Sequence, residues 1–526
     1  FSMNINKNKV TMIKIKSLYG IFLGLLIISC QSNKSEEKTT EIAETVETTE
    51  NEELLNGNVS LDYGSNSYQF KNGFPVGETA SQIYYNSDLR RAVEAYKIFL
   101  PTLATEAVFQ QMENAGAVYN TKGTVMAQGP RQQFAATNSD TPYAFILLDL
   151  TKGPMVVEMP ANPLLLGVAN DHNMGWLTDV GGIGPEKGKG GKHLVVPPGF
   201  DGNVPEGYYV IQGTTNKIVF AIRTVPLDGD VPKAIKAAQK IKAYPLDSPE
   251  MKDSFSITDI TANRLELPLL NWEGKLAYWE NLDKVLKEDI FKNEYRFPLG
   301  MLSELGMTAD KPFSPSVEMK ELLTRAAEIA HAELSTSLFE NRRPIAVEWE
   351  DRNWRKLPVG PFNKASGDFG SDKLIDFDAS ANFFFFGWGT SSAIGRREPG
   401  GGSMYFSAFK DIENTYFDGK NNYEMTIPGP VPMKLFWSVT VYDAFTRCLI
   451  ETDLNRAAVR SHLDSPIQNE DGSYTIYFGP KSPEGKEANW VQTIPNRGWF
   501  TTVRLYGPNK EVFDGSWKLS DIKRME

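Results

Sequence analysis

Two constellations in this chain carry side chains that do chemistry. The first is Asn-Ser-Asp-Thr-Pro-Tyr at 138–143, running on through an apolar stretch to Asp149 and Leu150. It is followed at 169–176 by Ala-Asn-Asp-His-Asn-Met-Gly-Trp. Asp140, Asp149 and Asp171 are thereby placed at strand ends or turns, with Tyr143, His172 and Trp176 close in sequence. Carboxylates beside aromatic faces in a cleft bind a polar substrate or exchange a proton with it, so Asp140, Tyr143 and Asp171 are the candidate acid–base residues. The same types also make turns, because Asn138 and Asp140 side chains accept hydrogen bonds from nearby backbone N–H groups.

The second constellation lies between Pro432 and Tyr506. In residues 434–442 one face carries Leu435, Trp437, Val439 and Val441, and the other Phe436, Ser438, Thr440 and Tyr442. Residues 499–506 split the same way, with Trp499, Thr501, Val503 and Leu505 on one side and Phe500, Thr502, Arg504 and Tyr506 on the other. A face of rings, hydroxyls and one guanidinium suits a polar organic ligand, and Asp443, Asn455, Arg456, Asn489 and Trp490 surround it in sequence. Half-wet antiparallel sheets also carry such residues with no ligand at all.

Period-2 alternation broken by Gly, Pro, Asn and Asp identifies the positioning elements as strands. Short strands are expected at 143–150, 154–159, 208–212 and 217–225, as in a β-sandwich. Alternation returns at Phe383 and runs almost to the end, giving a second all-β domain of jelly-roll character. Helices flank the first domain. Ser87 caps one that Pro101 closes, a second runs to Asn114, and residues 246–341 are helical, with Ser314 and Pro315 starting the last run. Gly181 to His193 looks like a phosphate loop but lacks the Gly-Lys-Ser/Thr ending, so a flexible surface loop is expected. The expected fold is mainly β, with N-terminal helices plus a β-sandwich at 59–245, a helical region at 246–345 and a second sandwich or jelly roll at 346–526.

With 526 residues the chain is long enough for two or three domains. A net charge of -11 without any long basic run argues against nucleic acid as a partner. Near the N-terminus, with Met3 read as the start, Lys7, Lys9, Lys14 and Lys16 precede an apolar run at 21–28. That run is shorter than the ~20 residues a spanning helix needs, so it reads as an export signal. It ends in Ile-Ile-Ser-Cys30, which resembles a bacterial lipobox; the expectation is lipidation at Cys30 and anchoring to the cell envelope, at the outer membrane. Residues 31–58, rich in Glu and Thr, form a tether. Cys448 is then the only other cysteine, a buried thiol with no disulfide partner.

Signatures of known chemistry are missing: no G-x-S-x-G, no H-E-x-x-H and no C-x-x-C. Four histidines do not make a His-rich metal centre; an oxygen-ligand Ca²⁺ site stays open, and the cofactor is unknown from the sequence.

Taken together, the motifs resemble bacterial proteins that pair domain-of-unknown-function family 1254 with family 1214. The first is carried by N-S-D-T-P-Y and the following L-D-L and G-P at 138–154, by Ala169 to Asp171, and by Ile218 with Arg223 and Thr224. The second is carried by P-x-x-x-F-W-S-V-T-V-Y-D from Pro432, Asn455-Arg456, Asp471 to Ser473, Asn489-Trp490, R-L-Y-x-P from Arg504, and Gly515 to Trp517. Leu305 to Thr308 and Lys311 to Phe313 look like the helical connection of the same proteins. The resemblance covers about residues 85–526 and implies an architecture, an N-terminal immunoglobulin-like β-sandwich, a helical segment and a C-terminal jelly-roll β-sandwich, not an activity; His172 stands where that pattern has an aromatic. The ligand candidates are Trp176, Arg223, Phe436, Ser438, Tyr442, Arg456, Asn489, Trp490, Arg504 and Tyr506. Three functions follow: an envelope lipoprotein that binds a carbohydrate or other polar organic molecule, a hydrolase or lyase acting on it, or an assembly protein.

Overall fold

The structure, a computed structural model, describes residues 59–526 apart from positions 64, 65, 358, 359, 388, 400 and 401. The export signal, Cys30 and the 31–58 tether lie outside the described residues. Described residues 59–83 belong to a unit of their own. Its strands Val59–Tyr63, Asn66–Lys71 and Phe74–Pro75 pair antiparallel. The turn between the last two is Asn72-Gly73, both at positive φ (52° and 81°), as a two-residue hairpin requires.

In the unit from Tyr84 to Glu526, the two expected N-terminal helices are one. Helix Thr79–Asn114 passes straight through Pro101. An internal proline costs about 3 kcal/mol. Here Phe99, Leu100, Leu103, Ala107, Val108 and Phe109 around it are all buried, and each large apolar side chain returns ~1.5–3 kcal/mol. Packing therefore overrides the break.

Two sheets follow and form a sandwich. A six-stranded sheet has the order Ser256–Asp259, Lys122–Ala127, Pro142–Asp149, Lys217–Thr224, Leu165–Asp171, Trp176–Gly181. A four-stranded sheet has the order Tyr209–Gln212, Gly191–Val196, Met155–Met159, Lys242–Pro245. Ile146, Leu148, Phe220 and Ile222 of the first pack against Val157, Met159 and Val195 of the second. The glycine-rich segment after Gly181 is not a loose loop. Glu186 is buried inside it, accepts hydrogen bonds from Gly181 N and His193 Nε2, and folds the segment around its carboxylate. Gly181 sits at φ 78°, and a Cβ there would meet Leu165 O at 2.0 Å.

Helices Pro268–Trp272, Leu276–Glu288, Arg296–Glu304 and Val317–Phe339 connect the halves. The last is capped by Ser316, whose side chain accepts from Met319 N, and not by Ser314; Pro315 thus precedes the cap. The four phenylalanines at 383–386, read as the start of alternation, belong to helix Phe377–Phe386, which Asp376 caps through Ala379 N. Four consecutive rings suit either period, and a capped start decides for helix. The C-terminal sandwich has one sheet of order Trp354–Lys356, Ser403–Ala408, Trp499–Tyr506, Trp437–Asp443, Ala458–Arg460. The other runs Trp490–Gln492, Tyr474–Gly479, Tyr423–Ile427, Lys523–Arg524. The molecule is thus mainly β, with two sandwiches and a helical connection. Cys448 is buried as expected, and burial pushes its thiol up to about 12.

His172 locks the long helix to this assembly. Its ring lies between Asp289 Oδ2 at 2.8 Å and Glu106 Oε2 at 3.3 Å, all three buried. Burial alone raises the Glu106 pKa, but the hydrogen bond and charge of His172 outweigh it and hold the carboxyl at about 2. That stability is present above the ordinary value of 4.5 and is lost as pH falls toward 2. Burial works against the imidazolium, yet Asp289 and Glu106 raise its pKa above 6.5. Its share is complete below 6.5 and is lost as pH rises through the raised value. The thermal midpoint is expected to peak between pH 4.5 and 6.5 and to fall on both sides. A midpoint constant from pH 6.5 into the alkaline range would show that the imidazole is not charged in the fold.

Candidate functional site

The ring-and-hydroxyl face is completed by a third strand. Tyr405 and Ser407 pair with Arg504 and Thr502, which pair in turn with Ser438 and Thr440. Except at Tyr405 and Arg504, which border a cavity, the face does not meet solvent. Trp437–Asp443 and Trp499–Tyr506 are buried at every position, because the segment before Pro142–Asp149 lies across them. Asp140 Oδ2 accepts from Ser438 Oγ at 2.7 Å and Tyr506 OH at 2.6 Å. Tyr442 OH donates to Thr137 O at 2.6 Å. Arg504 Nη2 reaches Ala136 O at 2.9 Å and Thr137 O at 3.2 Å and donates to Tyr442 OH. Arg460 Nη1 donates to Ser139 O at 2.7 Å, and His462 Nε2 is 3.0 Å from Asp140 O. An open ligand face on the jelly roll, the expectation from period alone, is therefore replaced by a polar seam. Phe436 stacks between His462 and Tyr506 within it, at 3.7 and 4.0 Å.

Beside the seam the two sandwiches separate and leave a cavity of about 390 Å³. Tyr143, Asn138 and Arg223 wall it on one side, and Ser403, Tyr405 and Arg504 on the other. It reaches the surface near Ile183 and Glu398, both exposed. Asn138 Nδ2 donates to Tyr143 OH at 2.9 Å, while Asn138 Oδ1 accepts from Asp140 N. The turn chemistry legible in N-S-D-T-P thus aims one amide at the cavity wall. Arg223 hydrogen-bonds Tyr143 and Ser403 Oγ, the latter at 3.4 Å, and lies 5.4 Å from the Tyr506 ring centroid. Arg396 also lines the cavity, but Asp179 neutralises it with two bonds of 2.7 Å.

The two walls belong to two families. Residues 117–245 match the family described as protein of unknown function DUF1254, and residues 402–510 match protein of unknown function DUF1214. The chain pairs a DUF1254 domain with a DUF1214 domain. The VPA0106 protein from Vibrio parahaemolyticus is similar in fold: 18% identity over 84% of this chain and 100% of that one, with a TM-score of 0.51. An uncharacterized protein from Burkholderia cenocepacia is 12% identical over 85% of this chain and 96% of its own, with a TM-score of 0.37. No curated protein matches the chain. Tyr143, Asn138 and Arg223 are contributed by the DUF1254 domain, and Ser403, Tyr405 and Arg504 by the DUF1214 domain.

Other expected site residues stand elsewhere. Asp171 and Asp140 do not form an acid–base pair. Asp171 pairs with Ile218, whereas Tyr143 pairs with Arg223 five residues further along the same strand, about 17 Å away at ~3.4 Å per residue. Asp171 accepts from Asn173 N, Gly175 N and Thr214 Oγ1 and pairs with Lys292 at 2.8 Å, so it holds a turn at the far end of the DUF1254 sheet. Arg456, Asn489 and Trp490 hold loops of the DUF1214 domain and are absent from the cavity wall. Arg456 donates to Glu487 O and Trp490 O, Asn489 clamps Ile467 and Thr475, and Trp490 Nε1 donates to Gly479 O. Trp176 stands behind the wall, its indole N–H on Asp179 and its ring 5.6 Å from Arg396. Ser403 and Tyr405 were missed, although the alternation of Ser403, Tyr405 and Ser407 repeats the pattern of residues 436–442. Among the described residues, no cluster of His, Cys, Asp or Glu is arranged to hold a metal.

Proposed function

We propose that this protein binds a small polar organic molecule, such as a carbohydrate, in the cavity between its DUF1254 and DUF1214 domains. We place it in the cell envelope, held by lipid at Cys30, on the strength of the basic, apolar and Ser-Cys pattern of residues 7–30. The observation that carries the binding reading is the cavity itself. Its volume lies within the range of about 300–1,000 Å³ typical of small-molecule sites, and its walls combine rings with a few convergent polar groups. An assembly role would call for a flat apolar patch instead. A hydrolase using Asp140 with Asp171 has no geometric support.

Ala221 lines the cavity from the strand that carries Arg223, and Ala221→Phe would occupy part of it. A thermal-shift panel of sugars, sugar acids and short organic acids is the test. A ligand at 100 times its dissociation constant adds about 2.7 kcal/mol, and the Phe variant is expected to lose that shift while keeping its own melting point. The reading fails if the panel is blank, or if the Phe variant responds as the parent does.

A further inference from the structure

We infer that the molecule held in this cavity is an organic oxyanion, a carboxylate or a phosphate ester, gripped by Arg223 with Arg504 and the Tyr143 hydroxyl beside it. The inference rests on the cavity being the binding site and adds the charge of its occupant.

Hydrogen-bonding capacity left over on the walls is almost wholly that of donors. Arg223 brings five N–H groups, and its hydrogen-bond partners among the described residues are two hydroxyls, those of Tyr143 and Ser403. No carboxylate lies within salt-bridge distance of Arg223 or Arg504 among the described residues, although Arg504 is buried and Arg223 is half-buried. Nη2 of Arg504 is occupied by Ala136 O, Thr137 O and Tyr442 OH, whereas its buried Nη1 has no acceptor among the described residues. Tyr143 oxygen already receives Asn138 Nδ2 and Arg223, so its own hydrogen is left to give.

Acceptors, by contrast, are spent. Asp179 is filled by Arg396 and the Trp176 indole. Thr137 and Gln128 side chains are bonded to each other, and Ser391 donates to Asn170. Glu398 stands exposed at the rim. Asp140 is the acid nearest to Arg504 and favours its charge, but it lies outside the cavity wall and gives one oxygen to Ser438 and Tyr506. A buried guanidinium without a counter-ion is costly, and the Tyr405, Tyr442 and Tyr506 rings near the two arginines offset only part of that cost. A carboxylate or phosphate fits a guanidinium fork with two parallel bonds and supplies the missing charge; a neutral sugar does neither.

Calorimetric titration of the full chain with D-glucuronate, succinate and glucose 6-phosphate, each set against glucose, tests this. At least one acid is expected to bind about tenfold or more tightly than glucose, and which acid does so separates the carboxylate source from the phosphate source. Arg223→Gln is expected to weaken that acid roughly 10- to 150-fold and glucose by a much smaller factor. Should that variant not fold, Arg223→Lys keeps the charge without the fork and is expected to weaken the same acid by a smaller factor. Glucose binding as tightly as the acids, with Ala221→Phe blocking all of them, overturns the oxyanion and leaves the cavity as the site. Acid binding that neither Arg223 nor Ala221 substitution changes overturns both. No binding by any acid overturns the oxyanion.

Discussion

Arg447→Met should destabilise the protein by about 3–5 kcal/mol, the usual cost of stranding a buried charge. Arg447 and Glu273 are both buried, and Nη2 of the arginine lies 2.6 and 2.7 Å from the two carboxylate oxygens. The guanidinium also sits 4.1 Å from the Phe385 ring centroid and donates Nη1 to Phe445 O. This pair ties the turn after Trp437–Asp443 to the residue that ends helix Pro268–Trp272. Removing the arginine alone leaves Glu273 in an apolar site, with His331 Nδ1 at 3.9 Å as its remaining basic partner among the described residues. Removing both charges does not, so Arg447→Met with Glu273→Met should be markedly more stable than Arg447→Met alone. Urea unfolding of the two single variants and the double variant measures the coupling. If the double variant is no more stable than Arg447→Met, the ion pair is not what holds this junction.

Asp140→Ala is expected to cost about 3–5 kcal/mol and to weaken any ligand of the cavity. Two hydroxyls, on Ser438 and Tyr506, lose a charged acceptor worth ~1.5–3 kcal/mol each and remain buried. Asp140→Asn keeps one oxygen acceptor and should cost less than half as much. The Ala change also loosens the 136–143 segment, and with it Asn138 and Tyr143, so binding should suffer beyond the loss of stability. A stability loss under 0.5 kcal/mol would mean that the seam is held by Arg504 and Tyr442 without the aspartate. That is the range of an ordinary surface substitution.

How much of this was legible beforehand differs by element. Strands at 142–149, 155–159 and 217–224 follow from short runs of aliphatic and aromatic residues bounded by Gly, Pro, Asn and Asp, and the structure places them within a residue or two of expectation. Pro101 and the phenylalanine run at 383–386 misled because local propensity is weak against burial: a proline worth about 3 kcal/mol is overcome by the rings and aliphatics packed around it. The 181–193 segment, expected to be a flexible surface loop, misled for a related reason. A charged residue between glycines reads as solvated until the fold brings His193 against it.

At the site, residue types were right more often than roles. Phe436, Ser438, Tyr442, Arg504 and Tyr506 were correctly grouped on one face, since strand periodicity alone dictates that. That the face turns toward Asp140 and Thr137, about 300 residues earlier in the chain, is a pairing no local pattern contains. Asp171 and Asp140 looked alike in sequence, each in an Asn- and Asp-rich turn, and the register of one sheet sets them at opposite ends.

The amino-acid order by itself determined the strands, the families to which the two β domains belong, and the identity of the polar faces, because each depends on neighbours a few residues away. Only the tertiary structure decided that one polar face would be sealed as a seam, and that Arg223 and Arg504 would meet across a cavity. Those outcomes depend on which surfaces bury each other, and burial is settled between segments hundreds of residues apart.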